Sequence, residues 1–199
     1  MITEVDMKNY FFAAVLMVIA VSMWAVDSSV KSIGKTFPEK IGSLSLIDVV
    51  DYEKKNKGLG VGLSYRAPGI NADIYVYDFR IKDILDGTNS ETVKKHFEEV
   101  SGDIYQYEKM KKYKDVKALG EMEKKNMAGI DFLCRKFTYS SEGKDKESFI
   151  YLTGYKGNFL KIRITHAAKD EKLAGEAANF ASKVFEILGK TEIEPAKNQ

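Results

Sequence analysis

"GIDFLCRKFTYSSEGKDKESFIYLTGYKGNFLKIRITHAA", residues 129–168, holds three runs rich in aromatic and β-branched residues, parted by "SEGKDK" and "KGN". The runs read as strands over 130–140, 148–155 and 159–166, and the two breaks have the length and residue types of hairpin turns. In the last run Leu160, Ile162 and Ile164 face one way while Lys161, Arg163 and Thr165 face the other. The reading is an antiparallel meander with one buried face and one wet face. A preceding turn, "KKNMAG", extends it back to a strand over 117–123.

Amphipathic segments flank the meander. Downstream, Leu173, Ala177, Phe180, Val184 and Ile187 form one stripe of a helix over 170–188 that stops at Gly189. Upstream, Val93, Phe97, Val100, Ile104 and Tyr107 do the same for a helix running to about residue 113. Thr88 and Glu91 have the spacing of a capping box at its start. Before it, "NADIYVYDFRI" is apolar on both sides, as in a central strand, and runs over 44–52 and 59–65 form a hairpin across "EKKNKG". Gly60, Gly62 and Ser64 share one strand face, which leaves room for a close neighbour. The predicted class is α+β: an antiparallel sheet of about six or seven strands packed with two main helices as a sandwich, preceded by a hydrophobic amino-terminal segment.

That segment, Tyr10 to Val26, has no charged residue and is closed by Asp27. Its seventeen residues are short for a membrane span. Lys8 supplies a positive start if Met7 is the initiator, whereas Glu4 and Asp6 cancel it if Met1 is. Ala20 and Ser22 suit a cleavage site after Ser22; cleavage after Ala25 places the poorer Met23 in the motif. The alternative is an uncut anchor, with Trp24 at the interface and Lys31 and Lys35 close to the surface. The expected organisation is therefore 1–25 signal peptide or anchor, 26–37 tether, 38–190 a single α+β domain and 191–199 a polar tail. The expected compartment is the periplasm or exterior, or else the inner membrane facing outward.

The order of elements resembles the PsbP and Mog1-like fold, which includes small exported bacterial proteins of the DcrB type. "GLSYRAPG", residues 62–69, is similar to that family's early strand and turn. The stretch from "EMEKKNMAGIDFLCRKFTY" through "FIYLTGYKGNFLKIRITHAA" to the last helix is similar to its meander. Ile70 stands where the family often has an aromatic, and no ion-binding or partner-binding residue carries over. The resemblance implies a non-catalytic accessory or binding protein.

Chemical motifs are missing. His96 and His166 are the only histidines, with no partner at metal spacing, so no metal or cofactor is expected. "SIGKT" has Ser29 where a phosphate loop needs glycine, and "GLGVG" has Leu63 where a dinucleotide fingerprint needs one. No GxSxG elbow is present. Cys134 is the only cysteine, which excludes an intramolecular disulfide, and it reads as a small buried residue. A net charge of +2 with only four arginines argues against nucleic acid. What remains is a basic, tyrosine-rich surface at the end of the first helix: Tyr105, Lys109, Lys111, Lys112, Tyr113 and Lys114. The expected role is non-enzymatic binding of another protein or an envelope component, with this surface contacting the partner or an anionic lipid. Two alternatives stand: an enzyme using Arg135, Lys161 and Arg163 on the wet sheet face, and a membrane-tethered domain with a positional role.

Overall fold

The computed structural model of the chain describes residues 28–190. The expected signal or anchor and the polar tail lie outside the described residues. Ten strands and two helices follow in order: β1 (Ser29–Val30), β2 (Lys35–Thr36), β3 (Lys40–Ile41), β4 (Leu44–Asp51), β5 (Val61–Ala67), β6 (Ile70–Tyr77), α1 (Glu91–Lys109), β7 (Lys114–Met127), β8 (Ile130–Ser141), β9 (Lys144–Tyr155), β10 (Asn158–Ala167) and α2 (Glu171–Gly189). Eight strands form one antiparallel sheet in the order β3-β4-β5-β6-β10-β9-β8-β7. The α+β class and the meander are as the sequence predicts, and β6 is a central strand, paired with β5 and β10.

Alternation along the strands divides the core in two. Leu160, Ile162 and Ile164 join Phe180, Val184 and Phe185 of α2 on one face. Phe159, Leu133, Phe137 and Leu152 join Val93, Phe97 and Ile104 of α1 on the other. The second face is therefore not simply wet. The helix α1 covers it over β7–β10, and Lys161 and Arg163 lie half-buried in its shadow. An α-carbon pattern of alternating polar residues reads as solvent-facing from sequence, but long cationic side chains can lie flat beneath a helix on apolar stems.

Both helices start on side-chain caps. Ser90 Oγ accepts from Val93 N at 3.2 Å, and Asp170 Oδ1 accepts from Leu173 N at 3.0 Å. The cap of α1 is thus Ser90 and not Thr88, which is buried two residues earlier. The helix also stops at Lys109, four residues short of expectation. Lys111 takes a φ of +58°, and the amides of Lys112 and Tyr113 both donate to Tyr107 O, closing the last turn and turning the chain into β7.

The tether over 26–37 is corrected for its described part. Val30, Ile33 and Phe37 are buried in the α2-side core, and β1 pairs with β2. Lys156 Nζ donates to Ile33 O at 2.8 Å, and Lys35 Nζ donates to Lys190 O at the end of α2. Isolated apolar residues among Ser, Lys and Gly lack periodicity, so the sequence gives no sign that each one is a core residue. The fold begins by Ser28, not near Pro38.

Candidate functional site

The six surface residues expected at the end of α1 are only partly brought together. Lys111, Lys112, Lys114 and Tyr113 line a cavity of about 630 Å³ with Tyr107 and the β8–β9 turn, Ser140 to Gly143. Tyr105 points elsewhere, edge-on to Phe137 at 6.1 Å, and Lys109 is exposed outside the cavity. The premature end of α1 explains the division, because residues after Lys109 leave the helical register.

The tyrosines form a stack that sequence did not reveal. Tyr107 lies on Tyr113 at 5.1 Å and Tyr113 on Tyr139 at 4.1 Å, ring centre to ring centre. Arg163 Nη2 reaches the hydroxyls of Tyr139 and Tyr113 at 3.4 and 3.5 Å. Lys112 Nζ sits 5.7 Å from the Tyr107 ring centre. The result is a rigid aromatic wall carrying a lysine rim.

A second cavity, of about 390 Å³, opens between α1, the β6–β10 part of the sheet and the loop that joins β4 to β5. Its wall is aromatic: Tyr52, Tyr75, Tyr77 and Phe79. Gly62 lies under two of these rings; a Cβ there would come within 3.1 Å of Tyr52 and 3.2 Å of Tyr75. The small strand face expected from Gly60, Gly62 and Ser64 is thus packed closely, as the sequence predicts. Lys161 lies 4.8 Å from the Tyr75 ring centre and 5.9 Å from that of Tyr77. Burial pulls its pKa below the usual lysine value, partly offset by Asp103. Burial also pushes the Tyr75 hydroxyl up to about 12.

His96, on α1 at the edge of this cavity, is buried and engaged at both ring nitrogens. Its Nδ1 is 3.1 Å from Glu99 Oε2 and its Nε2 is 2.7 Å from the Tyr77 hydroxyl. A carboxylate only accepts, so Nδ1 carries the proton and Nε2 accepts from Tyr77. The i,i+3 spacing of His96 and Glu99 was a legible signal; Tyr77, nineteen residues away, was not. Burial lowers the His96 pKa, and Glu99 opposes that shift. The folded-state value lies below the unfolded value of about 6.5. Stability is therefore complete above that pH and declines as pH falls below it, down to the folded pKa. We expect His96→Gln to shrink the loss of urea stability between pH 7.5 and 5.5; equal losses in both proteins would refute the assignment.

The residues of the enzyme alternative share a face but not a focus. Arg135 is paired with Glu98 at 3.2 Å and lies over the Phe97 ring. Arg163 Nε donates to Ser148 Oγ at 3.1 Å and its other end serves the tyrosine stack. Lys161 occupies the aromatic groove. Cys134 is buried, its thiol donating to Glu123 O at 3.4 Å, and burial pushes its pKa up. Among the described residues no group of three or more His, Cys, Asp or Glu is placed to hold a metal ion, and no helix is long and apolar enough to cross a membrane.

No protein-family model matches the chain, and no curated protein does. Among solved structures, the chain is similar to cyanobacterial PsbP (CyanoP) from Synechocystis sp. PCC 6803, at 14% identity and a TM-score of 0.42 over 75% of this chain and 96% of that one. It is also similar to LpqN of Mycobacterium tuberculosis, a protein involved in cell envelope biogenesis, at 12% identity and a TM-score of 0.34 over 72% and 83%. Neither likeness brings an activity to this chain.

Proposed function

We propose that the chain is an exported, non-enzymatic binding protein that holds an acidic segment of another protein in the lysine-rimmed cavity at the end of α1. The observation that carries this reading is the convergence of Lys111, Lys112 and Lys114 on one concave surface backed by the tyrosine stack. Among the described residues none of the three forms an ion pair, so their charge is free to meet an anion. Tyrosine and lysine together suit a partner with carboxylates on an apolar backbone. The separate engagement of Arg135, Lys161 and Arg163 supports a binding role over catalysis.

The test is binding of a fluorescent glutamate-rich peptide to the full chain at low salt, compared with Lys111→Glu/Lys112→Glu/Lys114→Glu. Affinity is expected to weaken at least tenfold, roughly 1.4 kcal/mol, and to weaken with salt in the parent. Exposed lysines carry little of the fold, so unchanged circular dichroism is expected. Equal peptide affinity in both proteins, or binding to anionic vesicles without peptide binding, overturns the reading.

A further inference from the structure

Lys161 differs from the surface lysines in where its amine ends. It leaves β10 into the second cavity and stops over the aromatic wall, 4.8 Å from the Tyr75 ring centre and 5.9 Å from that of Tyr77. Among the described residues no hydrogen bond or ion pair occupies it. Glu99 is engaged with His96 at 3.1 Å, and Asp103 lines the cavity without coming within ion-pairing distance of the amine. Burial holds the amine below the usual lysine pKa even with Asp103 nearby, which enlarges the fraction present as free nucleophile. Space for a guest remains in front of it: the cavity holds about 390 Å³, and Phe79 and Leu59 on its lining are 47% and 39% exposed. Phe79 is fixed there by a strained loop, with φ values of +50° at Phe79 and +60° at Arg80, and Gly58 O accepts from the amides of Asp78 and Phe79. Strain of this kind concentrates at ligand clamps.

We infer that Lys161 captures a small, neutral aromatic aldehyde as a Schiff base, the aldehyde's ring resting on Phe79 and Leu59. The ammonium and the aldehyde give a protonated imine and water. Nitrogen bonds to the carbonyl carbon, the carbonyl oxygen leaves as water with two of the nitrogen's three protons, and the single positive charge is kept. Nothing is oxidised or reduced. Charge decides the ligand class. The product is a cation on the Tyr75 and Tyr77 faces that already hold the ammonium, and Glu99 and Asp103 favour it. Those two carboxylates outnumber Lys161, so a carbonyl compound that also bears a carboxylate is repelled. This site is separate from the lysine-rimmed cavity and does not depend on it.

The test is treatment of the full chain with benzaldehyde and cyanoborohydride near neutral pH, which fixes the imine as benzyl-lysine, followed by peptide mass spectrometry. Lys161 is expected to be modified about tenfold faster than the exposed Lys95 and Lys183 of the same molecules. Acetaldehyde, which has no ring to seat, and 4-carboxybenzaldehyde, which carries a negative charge, should each show a preference for Lys161 at least about threefold smaller. Phe79→Gly accepts the positive φ and removes the ring; it should reduce the benzaldehyde preference and leave that for acetaldehyde unchanged. Modification of Lys161 no faster than Lys95 and Lys183 overturns the inference. So does an equal preference with acetaldehyde or 4-carboxybenzaldehyde, or an unchanged benzaldehyde preference in Phe79→Gly.

Discussion

Replacing Phe37 with alanine is expected to destabilise the protein by about 3–5 kcal/mol, the range for truncating a buried phenylalanine. Phe37 is fully buried and shares a core with Tyr65, Phe180 and Val184. Its amide donates to Ser28 O, and Ser28 Oγ returns a bond to Phe37 O, so the ring is held at both ends of a small loop. A domain of this size has a total stability of roughly 5–15 kcal/mol, and losing this much leaves a measurable unfolded fraction. Urea denaturation of the full chain reads the loss directly. Ile47→Ala, at a side chain 61% exposed, is the matched control and should move stability by less than about 0.5 kcal/mol. If Phe37→Ala behaved like the control, residues 28–37 would be a tether after all.

Gly60→Ala should be at least as damaging, by about 4 kcal/mol or more, in the range reserved for backbone collisions and strain. A Cβ at this position would come within 1.7 Å of Val76 O and 2.7 Å of Tyr77 Cα, and neither is a flexible side-chain end. The backbone also holds a φ of +65°. Gly60 N donates to Glu53 Oε1 at 2.8 Å while Gly60 O accepts from the amides of Tyr52 and Glu53, so the loop has no easy retreat. Gly129→Ala provides the comparison: it has a φ of +83° with open space around it, and only the conformational term of about 1 kcal/mol is expected. Thermal melts of the two variants separate collision from strain, and equal losses would show that the loop 52–60 yields. The same variant should perturb the aromatic groove, since Tyr52 and Tyr77 flank Gly60 on its two sides.

Periodicity made most of the architecture readable. Strict alternation in β10, the 3–4 spacing of Val93, Phe97, Val100 and Ile104, and the turn residues between β8, β9 and β10 each depend on neighbours within a few positions. Local patterns of that kind survive in one dimension. The lysine cluster was visible for the same reason, as a dense run of charge near one helix end. Where α1 stops was not visible, because its end is decided by a positive φ at Lys111 and two amides sharing Tyr107 O. That half-turn decides which lysines meet in a cavity and which stand apart.

The order and type of the main elements, the α+β class and the central place of β6 were determined by sequence alone, because burial periodicity and turn chemistry act over short range. Three things were decided only by tertiary structure. Residues 28–37 joined the core because β9, β10 and α2 supply a surface that Val30, Ile33 and Phe37 can cover. The face of β10 bearing Lys161 and Arg163 became half-buried because α1 crosses it, and the helix's own sequence does not say which strands it will cover. The groove that joins Tyr52, Tyr75, Phe79, His96 and Lys161 draws on segments more than a hundred residues apart, and contact at that separation is a property of the packed fold.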